Sequence, residues 1–316
     1  MLKDKDDLSW YARKAGSARA GEMDAGPAAA AAEGPVAELL AELKRDGSKG
    51  SFAARTLYTR RLPPGCRSCL GGKGSNLYVT GLCTRDCFFC FNSKPRQDEL
   101  VVHGIKVEQP EEAAEIVTRY GLRSIGISGG EPLLFPDRVL RIIRSLRALP
   151  ERVRIDLYTN GDLATDELLR QLKEAGLDAL RFNLAARGYD TDPVERALRV
   201  FAEVTVEIPV IPAELEHQKA MVLGLDELGA PFLNIHELFS CAENRAQVTA
   251  EGGPEKAAAD ASLLLWKPVQ NGEEAALRLL HFALTNTRQL SVYYCSCRTQ
   301  ETISERGLRR RRRLGR

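Results

Sequence analysis

The chain has 316 residues, 44% of them apolar, and 45 basic against 43 acidic side chains leave a formal net charge of +2. The apolar share suits a sizeable core, and the length suits a single α/β barrel. A charge so close to balance gives the molecule as a whole no electrostatic case for nucleic acid or an acidic partner. No apolar run is long enough to span a bilayer, and the first eleven residues lack the apolar stretch of a secretion signal, so neither membrane nor export is expected. Eight cysteines in such a chain point to a reducing, cytoplasmic setting and to metal binding rather than disulfides.

Residues 1–33 are poor in large apolar side chains and read as a disordered leader. Residues 34–74 form an N-terminal segment with two features. Val36, Leu39, Leu40 and Leu43 stand at helical spacing, with Pro35 in the first turn and Gly47 as the stop. Cys66 and Cys69 then make a C-x2-C pair on a glycine-rich turn. From residue 75 strand and helix alternate. Strands are predicted over 77–80, 124–128, 153–158, 179–184, 204–210 and 232–238. Helices are predicted over 110–120, 136–148, 166–175, 193–202 and 214–228. Six such alternations imply parallel strands joined by right-handed crossovers, hence an α/β fold with a partial (β/α)6 TIM-like barrel over 75–241. The residues that follow each strand should then carry the chemistry. Beyond the barrel, 242–307 reads as a C-terminal extension. It opens on a polar loop over the barrel mouth (242–256), continues in a helix (273–285), and ends in an extended segment feeding Cys295-Ser296-Cys297. The last nine residues, 308–316, are rich in arginine. They read as a solvated tail or, alternatively, as an RNA-binding one.

The densest chemistry lies after the first strand. Cys83, Cys87 and Cys90 are spaced three and then two residues apart. Three thiolates so placed wrap one corner of a small inorganic cluster and leave one metal position open. On spacing alone, a zinc knuckle or three neighbouring buried cysteines would serve as well. After the second strand comes Ser128-Gly129-Gly130-Glu131-Pro132, where two glycines permit close approach and a glutamate can accept from an ammonium. Together, C-x3-C-x2-C with Phe89 before the last cysteine and Gly-Gly-Glu-Pro resemble the radical S-adenosylmethionine (radical SAM) enzymes. The chain looks most like proteins related to pyruvate formate-lyase activating enzyme. The resemblance implies that Cys83, Cys87 and Cys90 hold a [4Fe-4S] cluster whose fourth iron is chelated by SAM. It implies that the Gly129-Gly130-Glu131 turn, with Ser128, binds the methionine amino group. Thr159 and Asn160 would line the ribose, and Ile211 and Phe89 would pack on adenine. It further implies an oxidoreductase-like reaction: a low-potential donor such as flavodoxin or ferredoxin supplies an electron, SAM is cleaved, and a 5′-deoxyadenosyl radical takes hydrogen from a peptide or small-molecule substrate. The glycyl-radical activators lack a Cys-Ser-Cys tail of this kind, so that particular reaction is not implied.

Other strand-borne residues join the candidates. Arg181 and Asn183 share a face of the fourth strand and need an anion there, either SAM, a substrate carboxylate or an internal Glu207. His236, Glu237 and Cys241 close the sixth strand and are candidates for substrate contact or proton transfer. Cys66, Cys69, Cys295 and Cys297 supply four ligands, enough for an auxiliary Fe–S cluster or zinc site if entry and exit of the barrel meet. Two further readings stay open: an RNA-modifying radical enzyme, suggested by the arginine run, and a non-catalytic metal-binding interaction protein.

Overall fold

The computed structural model describes residues 34–256 and 266–314; the leader expected over 1–33 lies outside them. The chain begins with α1 (Pro35–Arg45), started by its proline and burying Leu39 and Leu43. Two short strands, β1 (Lys49–Ser51) and β2 (Thr56–Tyr58), pair antiparallel. The C-x2-C pair, expected on a turn, lies in a short helix, α2 (Pro64–Leu70), with Pro64 in its first turn.

The barrel follows as β3 (Gly74–Tyr78), an antiparallel hairpin of β4 (Leu100–Val102) and β5 (Ile105–Val107), α3 (Glu112–Arg119), β6 (Ser124–Ser128), α4 (Pro136–Arg147), β7 (Arg154–Thr159), α5 (Asp166–Ala175), β8 (Ala179–Phe182), α6 (Asp192–Leu198), β9 (Val204–Val210), α7 (Leu215–Glu227) and β10 (Phe232–Glu237). After a small antiparallel pair, β11 (Phe239–Ser240) with β12 (Lys267–Pro268), come α8 (Gly272–Asn286), β13 (Ser291–Cys295) and α9 (Cys297–Leu314).

The main sheet runs β1-β2-β13-β10-β9-β8-β7-β6-β3-β4-β5. From β3 through β6, β7, β8, β9 and β10 to β13 every neighbouring pair is parallel. The parallel run therefore holds one strand more than expected, because the segment feeding Cys295 pairs along all its length with β10. That unit was hidden in the sequence by the long connection after β10, which breaks the spacing of the earlier repeats. Among the described strands, β1 and β5 stay at the two ends of the sheet without pairing to each other, so the barrel is partial.

Strand residues alternate between two environments, as the pleat requires. Ile125, Ile127, Ile155, Leu157, Leu180, Val206, Leu233, Ile235 and Val292 join the apolar core under the helices. Asp156, Arg181, Glu207, Asn234, His236, Tyr293 and Cys295 take the alternate positions and face the inside. That inner face is covered by α2 and α9. Thr299 bonds Thr56 at 2.7 Å, Arg306 donates to the Leu70 carbonyl, and Arg310 donates to Gly121 O at 2.8 Å. Arg311, 5% exposed, donates to His103 O at 3.2 Å. The arginine run is thus helical as far as Leu314 and docked in part: it continues a helix that straps the open side of the barrel from the β2 edge to the β4–β5 hairpin, with Arg310 and Arg311 of the run engaged by carbonyls and Arg309 and Arg313 facing solvent.

The hairpin that receives the strap turns at His103 and Gly104, both with positive φ (52° and 77°), the conformation of a tight two-residue connection. His103 Nδ1 lies 2.7 Å from Ser75 Oγ, while Nε2 is buried without a partner. Burial, with Arg311 and Arg310 alongside, pushes its pKa down from 6.5 to about 4. The unfolded chain therefore takes up this proton near pH 6.5 while the folded one resists until about pH 4. Stability from this group is fully present above pH 6.5 and is lost as pH falls toward 4, by about 3 kcal/mol over the window. In urea denaturation at pH 7 and pH 4.5, His103→Gln should lose clearly less stability than the wild type. An equal loss in both would mean that His103 is not held neutral by the strap.

Candidate active site

The cysteine loop leaves the end of β3 without regular structure, so its shape rests on side-chain ties from neighbouring strand ends. Asn160 and Asp162, just after β7, provide most of them. Asn160 Nδ2 donates to Thr84 Oγ1 at 2.8 Å and approaches Cys83 Sγ at 3.8 Å. Asp162 accepts from Thr84 at 2.9 Å and from Arg85 through two bonds of 2.7 Å. Asn92 donates to Gly129 O at 2.8 Å, and Asn244 Nδ2 to Phe89 O at 3.1 Å. Cys83, Cys87 and Cys90 are free, part-exposed thiols in this loop. Burial pushes Cys83 up, and burial with the neighbouring Cys90 and Cys83 pushes Cys87 up to about 11.

The Gly129-Gly130 turn is clamped against the same loop. Ser128, the last residue of β6, accepts from Val79 N at 2.9 Å; Gly130 N donates to Thr80 O at 2.7 Å and Glu131 N to Leu82 O at 2.8 Å. A Cβ on Gly130 would lie 1.8 Å from Leu82 O, so only glycine admits this contact. Glu131 differs from expectation. It is fully buried, with Oε1 accepting from Leu133 N at 3.1 Å and Thr159 Oγ1 at 2.8 Å, and Oε2 from Asn160 N at 2.8 Å. Its carboxylate therefore ties β6 to β7 and is not presented to a ligand ammonium. Thr159 and Asn160 are drawn to the loop by that tie. The donor set fits a cluster: three thiols in one loop that is held against the Gly129-Gly130 turn.

Ile211 lies where the resemblance implies, in an apolar group with Leu238, Val248 and Val269, against which Phe88 and Phe89 pack. The loop expected over the mouth forms a short helix, Arg245–Gln247, and a π-helical turn, Val248–Gly252, that completes this group. Asn244, fully buried, also accepts from Cys241 N at 2.8 Å.

The remaining candidates fall elsewhere. Arg181, 3% exposed, holds Asp156 at 2.8 Å and Glu207 at 2.9 Å, so the internal pairing is realised and the guanidinium is not offered to SAM. Asn183 accepts from Ala186 N at 3.3 Å and caps a 3-10 turn at Leu184–Arg187. His236 Nε2 lies 3.0 Å from Glu207 and Nδ1 3.3 Å from Gln300, leaving neither nitrogen for a substrate. Burial pushes Glu207 up, but His236 and Arg181 outweigh it and hold the carboxyl at about 2. Glu237 takes the opposite face of β10. It is 5% exposed, receives the Tyr294 hydroxyl and Cys297 N, and is raised by burial, so it does not look into the barrel. The Cys241 thiol bonds Glu243 at 3.1 Å.

Of the four auxiliary cysteines, Cys66 and Cys295 share one buried cluster with Tyr293. Cys69, one turn from Cys66 on α2, is pushed up to about 12 by burial and by Cys66 beside it. Cys297 is fully buried but on the Glu237 side, not with the others. Sequence reasoning missed Asn92, Asp162 and Asn244. Only Asp162 left a signal, as the residue that ends the Thr-Asn-Gly strand terminus.

Residues 77–218 match the family model of the radical SAM superfamily. Over 204 residues the chain is 29% identical to a Methanocaldococcus jannaschii protein with the provisional name of glycyl-radical enzyme activating enzyme, covering 61% of this chain and 54% of that one. Over 162 residues it is 33% identical to a Methanococcus maripaludis protein provisionally named GTP 3′,8-cyclase, covering 50% and 48%. The chain thus spans about half the length of the curated relatives it matches. Among solved structures, the FeFe-hydrogenase maturase HydG from Carboxydothermus hydrogenoformans superposes with a TM-score of 0.46 at 13% identity, over 83% of this chain and 70% of that one.

Proposed function

With residues 77–218 a radical SAM domain and the chain on that ground a radical SAM enzyme, we propose that it cleaves SAM reductively at a [4Fe-4S] cluster on Cys83, Cys87 and Cys90 and abstracts hydrogen from a peptide or small molecule. When bound, the cluster supplies the electron that splits the sulfonium into methionine and the 5′-deoxyadenosyl radical. The chain's own work is positioning. Asn160, Asp162 and Asn92 hold the thiol loop against the strand ends. Ile211 and Phe89 offer an apolar bed for adenine, and the turn at Val248–Gly252 shields it from water. A low-potential electron donor is required as partner.

The observation that carries this reading is the clamp of Gly130 and Glu131 on Thr80 and Leu82, which joins the glycine turn and the cysteine loop into one unit. The test is anaerobic reconstitution followed by SAM and dithionite. The wild type should yield 5′-deoxyadenosine, and a Cys83→Ala/Cys87→Ala/Cys90→Ala variant none. A wild type carrying a full cluster but making no 5′-deoxyadenosine would sink the radical reading in favour of a metal-binding interaction protein.

A further inference from the structure

We propose that Cys66, Cys69 and Cys295 form a second iron–sulfur site inside the barrel, with Cys297 not among its ligands. Three strands of argument meet here. The first is placement. Cys66 and Cys69 face one way from α2, and Cys295 ends β13 on the inward face beside His236 of β10. They come from opposite ends of the barrel sequence: Cys66 and Cys295 share one buried cluster with Tyr293, and Cys69 stands one turn from Cys66 on the same helix.

The second is the surroundings of sulfur. Both terminal nitrogens of Arg181 lie 3.7 Å from Cys66 Sγ, and Asn234 Nδ2 lies 3.4 Å from it. A buried cation and an amide donor aimed at sulfur are what a thiolate bound to iron needs, and hydrogen bonds to sulfur tune a cluster's potential. Glycine is needed at position 65 for α2 to come so close: a Cβ there would lie 2.3 Å from Asp156 Oδ2 and 2.6 Å from Arg181 Nη2. Asn234 Oδ1 is buried here without a hydrogen-bond partner, and the Tyr293 hydroxyl is turned to the Cys295 thiol, so the polar lining around the sulfurs is incomplete by itself.

The third separates a cluster from zinc. A structural zinc site is closed by four ligands around one ion. Here the fourth cysteine turns away toward Glu237. The three thiols that remain are one ligand short of a closed zinc site, whereas a cluster can be held by three thiolates, each on a different iron.

This inference does not depend on the SAM reading, because iron content decides one and 5′-deoxyadenosine the other. The full chain is reconstituted anaerobically as the Cys83→Ala/Cys87→Ala/Cys90→Ala variant, and iron, sulfide and zinc are counted. About four irons and four sulfides should remain, with an electron paramagnetic resonance signal on reduction. Adding Cys297→Ala should leave them, and adding Cys66→Ala or Cys295→Ala should remove them. No iron in the first variant, or zinc in its place, overturns the proposal. Loss of iron with Cys297→Ala overturns the three-thiol ligand set. The first variant and Cys297→Ala keep all three proposed ligands, so the counts stay decisive even if Cys66→Ala fails to fold.

Discussion

Gly130→Ala is expected to reduce 5′-deoxyadenosine formation by about 100-fold or more and to destabilise the apoprotein by about 3 kcal/mol. The added Cβ would meet Leu82 O at 1.8 Å, the Leu82 carbonyl carbon at 2.4 Å and Gly81 O at 2.7 Å. All three are backbone atoms of the cysteine loop, so no side chain can swing aside. Relief requires the loop to retreat and break the Gly130 N to Thr80 O and Glu131 N to Leu82 O bonds. Those bonds set the distance between the thiols and the glycine turn, so stability and SAM cleavage should fall together. Gly224→Ala on α7, where a Cβ meets nothing within 4 Å, is the control and should keep both. Urea denaturation of the apoproteins and product assays of the reconstituted ones make the comparison. A Gly130→Ala protein with wild-type turnover would show that the clamp does not position the cluster.

Much of this site was legible because its chemistry depends on residue types at fixed spacing. Cys83, Cys87 and Cys90 lie on one loop, and the glycines that let a second strand end touch it are adjacent in sequence. The alternation of strand and helix was legible for the same reason, since each unit repeats apolar runs of set length. What escaped depends on contacts distant in sequence. That Glu131 would be consumed by Thr159 and Asn160 cannot be seen without knowing that β6 and β7 are neighbours in register. Glu237 and His236 are adjacent residues, and only the pairing of β10 with β13 shows which of them faces inward. The hairpin over β4 and β5 was missed because each strand is only three residues long. The strap formed by α9 was read as a tail because arginines suggest solvent. Three of its arginines, Arg306, Arg310 and Arg311, in fact donate to carbonyls at Leu70, Tyr120, Gly121 and His103.

The second large effect is expected at Arg181, where Arg181→Met should cost about 3–5 kcal/mol in the apoprotein. Its guanidinium is 3% exposed and is bonded to Asp156 and Glu207 together. Removing it leaves Asp156, 4% exposed, with Arg154 alone at 2.8 Å and Glu207 with His236 alone at 3.0 Å, too little positive charge for two buried carboxylates. The penalty arises from those stranded charges more than from the lost bonds, because a buried ion pair by itself adds little net stability. Arg181→Met/Asp156→Leu/Glu207→Leu should therefore regain much of the loss, although it removes more hydrogen bonds than the single variant. Arg85→Met, which breaks a pair whose arginine is 41% exposed, should cost only about 0–1 kcal/mol. The contrast separates the two roles of arginine in this chain: at the surface it orders the cysteine loop, and inside the barrel it neutralises the acidic groups around Cys66. If Arg181→Met costs no more than Arg85→Met, water reaches the inner face freely, and the carboxylates there do not depend on Arg181 for their charge.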